Sequence, residues 1–309
     1  MSSVSVEILL PTYNGSRYVA PLLESLCSQT WRDFTLITRD DGSTDDTIEQ
    51  MLPFSEKLRI TRILNRENAN IGVVRSFEML IASSRAELLF FCDQDDLWNP
   101  LKVEHMVHRY LQQKDRNGST PQLLYCDLTL IDENGFQSGD SFLRTNNVNP
   151  FALFDPYYLA LKNPAPGCAM AVNRPLVEAA LPFSPETFMH DWWMAIAAGL
   201  CGGIVFIDEK LVQYRVHATN TLGVTSDRPR SFFSLFSNWL NIGKFSRIMA
   251  LHRRHITQGR AVFSRCGSRF SPPRYFIKVI VGRLIMPRIV RLTGRGRRYS
   301  YSWVAPDNK

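Results

Sequence analysis

Leu88-Leu89-Phe90-Phe91-Cys92-Asp93-Gln94-Asp95-Asp96 decides both the fold class and the place to look for chemistry. Five apolar residues in a row read as a strand buried on both faces, as in a parallel sheet covered by helices. Three carboxylates follow at once. Residues i and i+2 of an extended chain point the same way, so Asp93 and Asp95 are expected to converge beyond the strand. Carboxylates this close repel one another unless a cation or a hydrogen-bond donor compensates. Oxygen ligands suit a hard divalent cation, Mg²⁺ or Mn²⁺, of the kind that bridges carboxylates to substrate phosphates. The same acidic turn also suits a simpler role, as the cap of a helix starting near Pro100.

Working outward, strand-like runs at residues 4–10, 34–38 and 59–64 alternate with helical patterns near 17–29, 44–52, 73–82 and 100–113. Thr44 or Ser43 suits the cap of the second helix, and Pro100 suits a first helical turn. This rhythm predicts an α/β fold with a mostly parallel central sheet flanked by helices. Such sheets bind ligands beyond the carboxyl ends of their strands. There the sequence places Pro11-Thr12-Tyr13-Asn14-Gly15, then Asp40-Asp41-Gly42-Ser43, then Asn65, Asn68, Asn70 and Gly72, then the acidic run. One such cluster is an ordinary turn; four on one edge point to a site. Within the second, Asp45 and Asp46 read as helix-capping residues and Asp41 as a ligand contact, accepting from a base imide or a ribose hydroxyl.

Two later segments add candidates. His190-Asp191-Trp192-Trp193 offers a carboxylate for proton abstraction, with indoles that are either a stacking face for a sugar ring or core bulk. In Tyr214-Arg215-Val216-His217, alternation turns Arg215 and His217 to one side, toward a phosphate or a metal. The pairs His105/His108 and His252/His255 have helical spacing without a third acidic ligand and read as solvated faces.

The formal charge of +7 conceals an asymmetry. Residues 1–225 hold 18 Lys and Arg against 27 Asp and Glu, for −9; residues 226–309 hold 18 against Asp227 and Asp307, for +16. This division predicts a catalytic domain at 1–225 and a basic helical region at 226–309. An acidic domain with a basic tail suits an anionic surface, membrane or nucleic acid. Between Arg274 and Arg295 all cations except Arg283 fall within roughly 140° of a helix at about 100° per residue, with Phe276, Ile277, Val279, Ile280 and Ile285 mostly elsewhere. That pattern, with Pro287 as a kink, favours a membrane interface over nucleic acid. The six cysteines are scattered without a C-x-x-C pair, which suits thiols in a reducing compartment. With no apolar leader at the N-terminus, the expected location is cytoplasmic, peripheral on a bacterial plasma membrane.

Taken in order, these motifs resemble the family 2 glycosyltransferases, inverting enzymes of the GT-A fold, over residues 4–223. Pro-Thr-Tyr-Asn-Gly at 11–15, Asp-Asp-Gly-Ser-Thr-Asp at 40–45 and Asp-Gln-Asp-Asp-x-Trp at 93–98 are similar to that family's nucleotide and D-x-D motifs. Gly167-Cys168-Ala169-Met170, His190–Trp193 and Tyr214–His217 look most like bacterial rhamnosyltransferases of O-antigen and cell-wall polysaccharide assembly. The resemblance implies that Thr12, Tyr13, Asn14 and Asp41, with Arg75, hold base and ribose. It implies ribose or metal contacts for Asp93 and Asp95, a metal ligand in Asp96, the base in Asp191, and metal or diphosphate contacts for Arg215 and His217. Gln94, the middle of D-x-D, is expected to change nothing. The implied donor is dTDP-β-L-rhamnose, or a UDP-hexose on the same fold, and the implied acceptor is a lipid-linked oligosaccharide. A nucleotidyltransferase would carry a Gly-rich phosphate loop after strand one, which residues 11–15 do not offer. A nucleic-acid-binding or non-catalytic nucleotide-sugar-binding protein is the rival of another class.

Overall fold

The computed structural model describes residues 4–63, 70–146, 148, 150, 156–161, 163–217, 242–269 and 271. Strands β1 (Val6–Thr12), β2 (Thr35–Asp40), β3 (Ile60–Ile63) and β4 (Leu88–Phe91) alternate with α1 (Val19–Cys27), α2 (Thr47–Met51) and α3 (Val73–Ser83). They pair in parallel in the order β3-β2-β1-β4. The short β5 (Leu97–Trp98) and α4 (Lys102–Asn117) follow, then β6 (Gln122–Ile131), β7 (Gln137–Gly139), α5 (Phe142–Thr145) and α6 (Pro156–Leu161). The chain continues through β8 (Met170–Asn173), α7 (Arg174–Ala180), α8 (His190–Cys201), β9 (Gly203–Arg215) and α9 (Ile242–Arg265).

The described strands form one sheet ordered β3-β2-β1-β4-β8-β6-β9-β5, with β7 on β6. β8 enters antiparallel between β4 and β6, while β6 and β9 are parallel. The 6–9 register shifts at Cys126/Asp127 and Asp127/Leu128, and such irregularities bend a strand. Asp127 fixes the bend, accepting from Ser141 Oγ at 2.5 Å and Leu128 N at 2.8 Å. Sequence periodicity marks only the first halves of β6 and β9, since the apolar runs stop where the bend begins. The second half of β9 is what carries the chain to β5 and the acidic turn.

Alternation along the central strands feeds two cores. Ile8, Leu10 and Phe90 pack with Leu22 and Leu26 of α1 and Val103 and Met106 of α4. Leu9, Leu89 and Phe91 face the other way, toward Phe77 of α3, Trp193 of α8, and Val262 and Phe263 of α9. Each fully buried large side chain of this kind contributes about 1.5–3 kcal/mol.

Several expectations change here. Neither Ser43 nor Thr44 caps α2; its N-cap is Asp46, and Asp45 accepts instead from Thr47 N at 3.2 Å. His255 is not on a solvated face but is buried, with its ring 4.6 Å from that of Trp192. Gln258 beside it accepts from Phe188 N at 2.6 Å. His105 pairs with Glu209 at 2.7 Å and His108 is exposed. No helix among the described residues is long and apolar enough to cross a membrane. The segment Arg274–Arg295, Asn65 and Asn68 lie outside the described residues.

Candidate active site

The parallel topology brings the carboxyl ends of β1, β2 and β4 to one edge. Thr12 donates its hydroxyl proton to Asp40 at 2.9 Å. Asn14, at φ 45°, accepts from Thr44 N at 2.8 Å, and its own N–H reaches Ser43 Oγ at 2.9 Å. Thr12 and Asn14 therefore lace the first two loops together. Tyr13 between them is 45% exposed, its ring free to meet a ligand.

Gln94 is not the neutral spacer expected of it. Its Oε1 accepts from Tyr13 N at 2.9 Å and its Nε2 donates to Tyr13 O at 2.9 Å. This two-bond clasp fixes the loop after β1 against the acidic turn, and it needs Gly15 beside it, because a Cβ there would lie 2.3 Å from Gln94 Oε1.

Asp41 is buried, and its carboxylate already accepts from Arg39 at 2.5 Å, Ile71 N at 2.9 Å and Gly72 N at 2.8 Å. It anchors the start of α3 to the β2 edge. Arg75 on that helix is half-exposed and paired with Glu78.

β4 ends at Phe91 and the chain turns at 94–95, with Asp93 and Asp95 within electrostatic reach of each other. Asp93 is also grouped with Asp96: their carboxylates and the Cys168 thiol have ligand atoms within 4.8 Å of one another. Asp95 turns to His217, whose Nε2 is 2.7 Å from Asp95 Oδ2. Burial first, then the Asp95 and Asp191 charges, push Asp93 up to about 7. Burial and the Asp95 and Asp93 charges raise Asp96 as well. Asp96 Oδ1 accepts from Arg215 N at 2.9 Å. Its Oδ2 is fully buried and, beyond the weakly donating Cys168 thiol, has no hydrogen-bond partner. An orphaned carboxylate oxygen beside a second carboxylate fits a hard divalent cation. Asp93 and Asp96, with the Asp95–His217 pair adjoining, would hold one.

Arg215 and His217 do share a side, packed round Tyr18. The guanidinium carbon lies 4.8 Å from that ring's centroid, and the imidazole stacks on it at 5.3 Å. Tyr18 carries no motif and escaped the sequence reading. The Arg215 guanidinium is buried, however, donating to the carbonyls of Asp95 at 2.8 Å and of Asp132 and Glu133 at 3.2 Å.

Asp191 lies in the first turn of α8, buried, accepting from Trp192 N at 2.6 Å and Gly167 N at 3.2 Å. Burial outweighs these hydrogen bonds and pushes its carboxyl up to about 6, a suitable range for a base working near neutrality. His190 is buried against Phe77 at 3.8 Å, and burial pulls it down to about 3, so it is neutral. Trp193 donates to Ala180 O at 3.0 Å inside the core, and Trp192 packs on Phe188 and His255. Trp193 is thus a core residue, while Trp192 is half-buried and donates to Leu159 O.

Sequence signals also missed Lys102, the first residue of α4. It is wholly buried, donates to Cys168 O at 2.6 Å and lies 3.1 Å from the Trp98 ring centroid.

The chain is similar to several known proteins. An uncharacterized glycosyltransferase of Rickettsia typhi is 24% identical over 242 residues, covering 76% of this chain and 71% of that protein. The Escherichia coli UDP-Glc:alpha-D-GlcNAc-diphosphoundecaprenol beta-1,3-glucosyltransferase WfgD is 26% identical over 200 residues, covering 63% and 71%. Among solved structures, the Pyrobaculum calidifontis mannosyltransferase PcManGT, in complex with GDP-Man and Mn²⁺, superposes with TM-score 0.54 at 14% identity, covering 96% and 89%. S. aureus TarS 1–349 with UDP gives 0.56 at 15% identity, covering 94% and 75%. The fold is thus the GT-A α/β fold of glycosyltransferases. Residues 7–132, which include the loops after β1, β2 and β4, match the family Glycosyl transferase family 2.

Proposed function

We propose that this chain is a metal-dependent, inverting glycosyltransferase that moves a hexose from a nucleoside-diphosphate donor to a sugar hydroxyl. The observation that carries the reading is the orphaned, buried Asp96 oxygen beside Asp93, within electrostatic reach of the buried Asp191. A single base in that field suits one direct displacement; a double displacement needs a carboxylate nucleophile as well.

In this mechanism the exposed Tyr13 ring and the Thr12–Asn14 loop bind the donor's base and ribose. Asp191 accepts the proton of the acceptor hydroxyl while that oxygen forms its bond to the anomeric carbon. The bond from that carbon to the diphosphate oxygen breaks with its electron pair, leaving the nucleoside diphosphate. Asp93 and Asp96, with Asp95 and His217, would hold Mg²⁺ or Mn²⁺, which when bound would supply positive charge toward the leaving group. Arg215 holds the acidic turn in register. Its guanidinium bonds support that role rather than direct diphosphate contact.

The donor proposed is dTDP-β-L-rhamnose, giving an α-rhamnoside by inversion, on the motif resemblance at 167–170, 190–193 and 214–217. A UDP-hexose is the second reading, favoured by the similarity to WfgD, whose name also supports a lipid-linked oligosaccharide acceptor. We further propose that residues 1–225 form the transferase domain and that the basic region 226–309 docks it on the cytoplasmic face of the plasma membrane. The test is a panel of dTDP-, UDP- and GDP-sugars assayed with Mn²⁺, Mg²⁺ and chelator. Release of nucleoside diphosphate from one donor, only with metal, is the expected result. No stabilisation and no turnover with any donor would count against transferase function.

A further inference from the structure

Lysine is almost never fully buried unless paired, yet Lys102 is 0% exposed. Its ammonium has one hydrogen bond, to the Cys168 carbonyl, and rests on the Trp98 ring. Among the described residues no carboxylate forms an ion pair with it. Cys168 is the shared wall between Lys102 and the acidic group: its carbonyl accepts from Lys102 at 2.6 Å, while its thiol lies within 4.8 Å of carboxylate oxygens of Asp93 and Asp96. Lys102 is therefore a cation one layer beneath the acidic group, fixed by α4, which starts six residues after Asp96.

The nearby Arg215 guanidinium is engaged elsewhere, on three carbonyls. The Lys102 ammonium offsets part of the negative charge of the acidic turn and repels a divalent cation directly, so it weakens the turn's hold on the metal. A donor diphosphate would bring the missing negative charge.

We propose that Lys102 is a positioning residue, an internal counter-cation that holds the Asp93–Asp96 group together without metal and makes tight metal binding depend on the donor's diphosphate. This rests on the reading of that group as the metal site of a glycosyltransferase. Lys102 acts without touching substrate, by setting the charge against which the metal binds.

The experiment is calorimetric titration of Mn²⁺ into the full chain and into Lys102→Met, alone and with UDP or dTDP. Wild type is expected to bind Mn²⁺ weakly alone and at least roughly tenfold tighter with the nucleotide that fits. Lys102→Met is expected to bind Mn²⁺ alone roughly tenfold or more tighter than wild type, with the nucleotide's enhancement reduced to match. A folded Lys102→Met with wild-type or weaker affinity for Mn²⁺ alone overturns the inference and leaves the transferase reading intact. Wild type that binds Mn²⁺ neither alone nor with nucleotide overturns both. If Lys102→Met does not fold, the double variant Lys102→Met/Asp96→Asn decides. Recovery of a cooperative thermal transition supports charge balance between the two, and a double variant as unfolded as the single one overturns it.

Discussion

The backbone N–H of Arg215 donates to Asp96 Oδ1 at 2.9 Å, joining the end of β9 to the acidic turn after β4. The Arg215 side chain completes the junction through the carbonyls of Asp95, Asp132 and Glu133. Hydrogen bonds from a charged donor are worth about 1.5–3 kcal/mol each and are not additive. Arg215→Ala is therefore expected to cost roughly 3 kcal/mol in urea unfolding. Arg215→Lys should recover little of it, since an ammonium cannot span three divergent carbonyls. An Arg215→Ala protein of wild-type stability that had lost only nucleotide affinity would return the guanidinium to the diphosphate, where the sequence reading placed it.

Gly15 and Gln94 yield a second prediction. Because a Cβ at 15 would lie 2.3 Å from Gln94 Oε1, Gly15→Ala must break the clasp on Tyr13. Losing two neutral hydrogen bonds at about 1 kcal/mol each should weaken nucleotide binding roughly 10- to 30-fold by calorimetry. Adding Gln94→Ala removes the collision but not the loss. The double variant should bind no better than Gln94→Ala alone, and wild-type affinity in either variant would show that the clasp does not shape the donor site.

The contrast between Gln94 and Asp191 shows what the sequence made legible. Asp191 is singled out by the motif resemblance, since by its neighbours alone it reads as a helix-start carboxylate beside core indoles, and it does lie buried in the first turn of α8. The four parallel strands are equally legible, since apolar runs closed by Asn, Asp and Gly specify both strand and edge. What escaped was everything that depends on the path of a turn. Alternation brings Asp93 and Asp95 within reach of each other, but it does not reveal Asp96 beside Asp93 or His217 beside Asp95. Lys102 and Tyr18 sit in ordinary helical sequence, and only the packing of α4 and β9 against the acidic turn reveals them. Arg215 lies beside the acidic turn, as expected, but sequence cannot show the three carbonyls that its guanidinium meets.

The role proposed for Asp191 predicts a pH dependence. A general base must be ionised, and burial has pushed this carboxyl up to about 6. At saturating metal and donor, kcat is expected to fall as pH drops through about 6 and to level off above it. Asp191→Asn should cut transfer roughly 10²- to 10⁴-fold with donor affinity nearly unchanged. Wild-type turnover in that variant would require a different base.

The Asp95–His217 contact predicts a metal effect that can be read without turnover. Chelation should weaken binding of the donor's nucleoside diphosphate, and Asp95→Asn should remove most of the metal-dependent increment. Exchanging the carboxylate for an amide lowers the negative charge facing the cation and disturbs the imidazole at 2.7 Å. Equal nucleotide affinity with and without Mn²⁺ in the wild type would remove the metal from the mechanism.

The final prediction concerns α9 and the basic region that contains it. Its inner side, with Val262 and Phe263, belongs to the core, while Arg253 and Arg260 are exposed and two helical turns apart on one side. An anionic membrane surface attracts each such cation with about 1 kcal/mol. Arg253→Ala/Arg260→Ala is therefore expected to weaken binding to anionic vesicles roughly 30-fold at low salt. Its melting temperature should stay near wild type, since surface substitutions seldom exceed about 0.5 kcal/mol. Phe263→Ala should do the reverse, costing roughly 3–5 kcal/mol of stability without touching the charge. Flotation of the full chain with phosphatidylserine-containing and with neutral vesicles, at low and high salt, separates these effects. A full chain that ignores anionic vesicles at low salt refutes membrane docking. One that binds them equally with and without the two arginines moves the contact away from α9 to other parts of the basic region.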